Sequence, residues 1–180
     1  MFVLGHLGFG NALLKFAKLP RAALFLGCLL PDLIDKPLYY GLVLATGKRA
    51  GELGLISGSR TLGHTGILLL LLLFAAALGR SPTLLAVGLG MLTHLFLDEL
   101  GDLLYAMPLG RSMLLAIFFP LFGRRFPVMP FADVSEHFLS VLGNPYVIFG
   151  EVAGAALLVY DHIKIKARLE SQAQSKPNQT

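Results

Sequence analysis

Charge is scarce in this chain. Asp, Glu, Lys and Arg together make up 14% of it, where a soluble domain carries about 25%. That scarcity excludes an ordinary water-facing surface over most of the molecule. Cysteine is nearly absent: Cys28 stands alone. No internal disulfide can staple the fold, nothing beside Cys28 marks a reactive thiol, and it reads as a buried bystander. The opening stretch, MFVLGHLGFG, has no positive residue before its apolar run and no small-residue cleavage site after it. A removed leader is not expected, so His6 is expected in the mature chain. A clustered basic stripe interleaved with aromatics is missing too. The basic residues lie scattered at segment ends, which argues against nucleic acid as a partner.

What remains is apolar. Hydrophobic residues make up 55% of the 180-residue chain, and its mean hydropathy is +0.70. That length suits one domain. Apolar segments run over 2–17, 21–30, 37–46, 64–78, 83–106 and 145–160, with the turn signals KLPR and GRSP closing two antiparallel hairpins. The pattern predicts an all-α fold: a polytopic helical membrane bundle of about 4–6 helices, built from two helical hairpins and a C-terminal helix. Pro31 and the PDLID cluster predict a discontinuous second helix. Residues 112–122 are too short to span, since roughly 20 residues are needed, and are expected to be interfacial or re-entrant. The helical membrane domain is assigned to 1–163. The polar, partly basic tail at 164–180 is expected to be disordered. Lys15, Lys18, Arg21 and Arg80 flank the two turns, and by the positive-inside rule they favour turns and tail in the cytoplasm, whereas Lys48, Arg49, Arg60, Arg124 and Arg125 favour the opposite orientation.

Within this greasy chain, the stretch MLTHLFLDELGDLL carries His94, Asp98, Glu99 and Asp102. His94 and Asp98 are four apart and share one helix face. The GRSP turn is centred between Arg80 and Ser81, so His64 falls opposite the interval between His94 and Asp98. By the same counting from KLPR, His6 falls opposite the interval between Asp32 and Asp35. Both hairpins thus hold imidazoles and carboxylates far from their turns, at matching depth. A lone charge at the bilayer centre costs about 2.5–3.5 kcal/mol. A divalent cation shared among these groups removes that cost. Zinc suits mixed imidazole and carboxylate donors, and manganese or iron also fit. Singly, each group has a plainer reading, such as an interhelical hydrogen bond or a capping aspartate. Asp102 continues the His94–Asp98 face by one turn, Glu99 points elsewhere, and Glu151 sits early in the last helix. Arg60, four residues before His64, is a candidate for holding an anionic substrate. His137 and His162 flank loops and are expected to face solvent.

The series His6, LLPDLID, SRTLGHT and THLFLDELG resembles a bacterial inner-membrane family described as membrane-bound metal-dependent hydrolases, over roughly residues 1–125. That resemblance implies an integral protein of the bacterial cytoplasmic (inner) membrane. It also implies metal-ligand roles for His6, Asp32, Asp35, His64, His94 and Asp98. Ser59 stands where the family often has histidine, and Gly63 and Thr65 replace its threonine and serine. The ligand order is also similar to that of the zinc-dependent phospholipase C and single-strand nuclease group, which hydrolyse phosphoesters. The later histidines and glutamate of that group have no counterpart in spacing, so one or two ions are expected. The leading reading is a metal-dependent hydrolase acting on a phosphoester of a lipid or lipid-linked substrate, with Asp35 or Asp102 as general base. The alternatives are an ion-coupled membrane transporter, or a non-catalytic membrane scaffold with a structural metal or polar cluster.

Overall fold

Long apolar runs bounded by capping residues become helices, because a helix satisfies its backbone within one segment. A computed structural model of the chain describes residues 2–48, 50–106, 108, 112–128 and 134–174. Among these the chain forms α1 (Val3–Leu14), α2 (Arg21–Thr46), α3 (Gly66–Leu78), α4 (Pro82–Leu104), α5 (Met113–Ile117), α6 (Val134–Leu142) and α7 (Pro145–Gln174). Short 3-10 turns lie at Lys15–Ala17, Ala50–Leu53 and Leu62–His64, and the described residues contain no strand. The all-α expectation is met. Local chemistry sets the ends. Ser81 accepts from the Leu84 N–H with Pro82 at the first helical position. Thr65 caps α3 by accepting from the Leu68 N–H, and Gly47, at φ 67°, closes α2 in the left-handed region.

The expected break at Pro31 does not occur. Helix α2 runs through both Pro31 and Pro37. Proline removes a helical N–H and so strips the carbonyl four residues back of its donor. Tertiary packing outweighs that loss here. Gly63 presses against the Pro31 carbonyl so closely that a Cβ at Gly63 would collide with it.

Helix α4 is the centre of the molecule. Its most extensive partner is α2, and α3 and α5 also pack on it. Two glycines allow the α2–α4 approach. A Cβ on Gly27 would strike the Val87 backbone, and one on Gly90 would strike the backbones of Leu24 and Cys28. Small residues of this kind let helices meet backbone to backbone. Met91 and Leu95 pack with Leu69, Met113, Ala116 and Phe126 on one side. Ala86 and Val87 pack with Ala23, Leu24 and Cys28 on the other.

Helix α1 lies mainly on α7, where Gly8 and Gly154 bring the two backbones together. Segment 112–122 supplies α5, whose Met113, Leu115 and Ala116 are buried. Residues 164–174 continue α7 as helix, and residues 175–180 of the expected tail lie outside the described residues. By length and composition, α4 and α7 are apolar enough to cross a membrane, while α3 is apolar but shorter.

Candidate metal centre

The site is built around His94, halfway along α4 and fully buried. Its Nδ1 lies 2.7 Å from the Cys28 carbonyl oxygen on α2. A carbonyl only accepts, so Nδ1 carries the proton and Nε2 of the neutral ring carries the lone pair. The Gly27–Gly90 contact sets this distance. Pro31 has already deprived the neighbouring Gly27 carbonyl of its helical donor.

His64 is locked in the same way by Asp35, itself fully buried. Asp35 Oδ2 accepts from His64 Nδ1 at 2.7 Å and from the Thr61 N–H at 2.6 Å. Its Oδ1 accepts from the Thr61 hydroxyl at 2.9 Å and from the Gly63 N–H at 2.8 Å. An ionised carboxylate has about four acceptor positions, and all are used. Asp35 therefore orients His64 and has no lone pair left for a cation or a proton. This corrects its expected roles as ligand and base. The arrangement is the carboxylate–histidine pairing that commonly stands behind a metal-binding imidazole.

With both Nδ1 atoms donating, the Nε2 atoms of His64 and His94 face each other at 3.3 Å. Two lone pairs so placed repel unless a cation or a proton lies between them. Two nitrogens on one tetrahedral zinc, each bound at about 2.0–2.1 Å, stand about 3.3–3.4 Å apart. The donor geometry fits a metal.

The remaining donors close around this pair. His6, 1% exposed, stacks on His94 with ring centroids 3.8 Å apart. Its Nε2 is 3.3 Å from Asp98 Oδ1, and Asp98 Oδ2 is 3.7 Å from His94 Nε2. Asp32 Oδ1 is 3.9 Å from His64 Nε2, while Asp32 Oδ2 accepts from Lys36 at 2.5 Å. Two triads result, His6–His94–Asp98 and Asp32–His64–His94, each compact enough to hold a metal ion. His6 meets α4 rather than Asp32 and Asp35, which the hairpin counting had set opposite it. The 3-10 turn at Lys15–Ala17 and the left-handed Lys18 lie in the link between α1 and α2, and α1 packs more extensively on α7 than on α2.

Asp102 faces away from the donors. Arg60 Nη1 reaches both of its oxygens, at 2.9 and 2.6 Å, and the Met113 N–H donates to Oδ2 at 2.6 Å. A carboxylate held this way is a poor general base, and its role is to hold Arg60 and the start of α5. Arg60 Nη2 lies 3.9 Å from Asp98 Oδ2. Burial works against the guanidinium charge, but Asp98 and Asp102 outweigh it and hold its pKa above the usual arginine value. Asp32 pairs with Lys36, Asp98 and Asp102 pair with Arg60, and Asp35 pairs with His64.

Several contributors have no motif of their own. The Cys28 backbone, the Thr61 hydroxyl and Lys36 all hold site residues in place. Only Lys36, four residues after Asp32, is readable as a helix pair. Glu151 does not reach the donors; it binds the start of α1. His162 is exposed on α7, and the side chain of His137 lies outside the described residues. Compared with known protein families, curated proteins and solved structures, the chain matches none. These comparisons support no family for the chain.

Proposed function

We propose that this chain is a polytopic membrane protein that holds one divalent cation within its helical bundle and hydrolyses a phosphoester of a lipid or lipid-linked substrate. The observation that carries the reading is the His64–His94 pair, whose Nε2 atoms converge at 3.3 Å with both Nδ1 atoms engaged elsewhere. His94 has one available lone pair, so the two triads that share it describe a single centre. Imidazoles from positions 6, 64 and 94 with the carboxylates of Asp32 and Asp98 suit Zn²⁺, and Mn²⁺ or iron are the rivals. A cation bound there supplies a Lewis acid and lowers the pKa of a water.

The chain's own groups supply the rest. Asp32, with its side chain 20% exposed and one oxygen paired with Lys36, is the donor at the rim of the centre, where a water can reach the cation. Arg60, 25% exposed, presents a guanidinium beside Asp98 for anionic ester oxygens. Support for the membrane comes from α4 and α7 and from the outward face of α3, where Leu70, Leu71, Phe74 and Leu78 are exposed. A soluble monomer rarely exposes apolar patches beyond a few hundred Å². A site set among such helices takes its substrate from the bilayer.

The test is elemental analysis of detergent-purified protein together with phosphodiesterase assays. The wild type is expected to carry a divalent metal and to turn over a phosphoester, and His94→Ala to lose both. Metal content and turnover unchanged in His94→Ala would end the reading. Metal without turnover would indicate a structural centre. Ion flux in liposomes without hydrolysis would indicate a transporter.

A further inference from the structure

We infer that Glu151, on the last helix, is a positioning residue for the metal centre and acts through His6; the inference rests on the metal-centre reading above. The first turn of a helix has N–H groups with no partner inside the helix. At the start of α1 the N-cap is Phe2, which makes no side-chain cap. Glu151 provides two of the missing acceptors from α7. Its Oε2 accepts from the Leu4 N–H at 3.0 Å, and its Oε1 accepts from the Gly5 N–H at 2.9 Å. A carboxylate at this end of a helix is also favoured by the helix dipole.

His6 is the next residue. Its stacking on His94 and its contact with Asp98 both depend on where that first turn sits. One turn beyond Glu151, Gly154 meets the α1 backbone so closely that no Cβ fits. Helix α7 therefore both grips the first turn of α1 and fixes its distance. The other end of α1 has a separate tie: Asn11 Nδ2 donates to Asp161 at 3.2 Å, and Arg21 pairs with Asp161 at 2.8 Å. Removing the Glu151 carboxylate thus frees the turn that carries His6 while α1 stays docked.

A general clamp and a positioning residue differ in one measurable way. A clamp that loosens the bundle weakens metal binding whatever ligands are present. A residue that acts through His6 matters only while His6 is there. The experiment is a double-mutant cycle on zinc affinity, by chelator competition in detergent, with Glu151→Ala and His6→Ala singly and combined. Four donors remain without His6, which keeps binding within reach of the competition assay. Glu151→Ala is expected to weaken zinc binding about tenfold, as loss of a supporting residue commonly does, and to add nothing in the His6→Ala background. Glu151→Gln, which keeps one carbonyl acceptor, should recover part of the loss, and the same cycle run with it serves if Glu151→Ala does not fold. An equal loss in both backgrounds, or no loss in the single variant, overturns the assignment while leaving the metal centre intact. A wild-type chain that takes up no zinc or other divalent ion overturns both.

Discussion

Helices α4 and α7 are alike in apolarity but not in surroundings. In α4, 61% of the most apolar window is buried, against 17% in α7. Helix α4 is wrapped by α2, α3 and α5 and turns Thr93, His94, Asp98 and Asp102 inward. Helix α7 leans on α1 and leaves Phe149, Val152, Val159 and Tyr160 exposed. One hydropathy value thus serves two environments. Most of the apolar middle of α4 is covered by protein, with Leu92 and Phe96 left exposed on its outer side, and its polar residues are the ones the interior can satisfy. The outer side chains of α7 are largely exposed among the described residues, and the proposed membrane location would account for them.

The largest effect is expected where α4 touches another backbone. A Cβ at Gly90 would meet the Leu24 carbonyl and the Cys28 amide, neither of which can swing aside. In Gly90→Val the helices must separate, and the Cys28 carbonyl that fixes His94 moves with them. The change should destabilise the protein by at least about 3 kcal/mol, or roughly 10 °C in Tm, if it folds at all. Ala156→Val, on the exposed side of α7, should alter stability by less than about 0.5 kcal/mol. Equal melting of the two variants would erase the contrast between the helices.

A charge on the outer face of α7 tests what surrounds it. Val152 is 66% exposed and lies within the apolar part of the helix. Facing lipid, Val152→Asp should cost about 2.5–3.5 kcal/mol of insertion, read as a loss of membrane-inserted protein. Facing water, it should stay within about 0.5 kcal/mol. Undiminished membrane yield with an unchanged Tm would place that face in water and remove the support α7 gives to a membrane location.

Local and near-local features were legible in the sequence. The GRSP turn and the four-residue interval from His94 to Asp98 foreshadow the meeting of His64 with His94, because a tight hairpin preserves height. The partners of His6 were hidden, since α1 is placed against α7 by Gly8, Gly154 and Glu151 as well as against α2, and no local pattern links those residues. The continuity of α2 was hidden because packing by Gly63 offsets what Pro31 removes. The role of Asp35 was hidden as well. A carboxylate among histidines reads as a ligand until the Thr61 and Gly63 amides, brought in by an irregular loop, are seen to saturate it.

The smallest of these effects, and the most specific, concerns that carboxylate. In Asp35→Asn the shape is kept but one acceptor becomes an NH₂ donor. All four groups now bonded to Asp35 donate, so the new NH₂ must face another donor. If it faces the Thr61 hydroxyl or the Gly63 amide, a bond is lost and the cost falls on stability, about 1–3 kcal/mol. If it faces Nδ1 of His64 it also faces the Thr61 amide, so that bond is lost, and the ring must shift its proton to Nε2, which is the atom aimed at His94. That tautomer has no lone pair for the cation, and metal affinity should drop about 10–100-fold. Both outcomes lower Tm without metal, and chelator competition separates them, because only the second removes the lone pair of His64. Wild-type values in both would mean that Asp35 neither orients His64 nor holds the loop, and the site would have to be rebuilt without it.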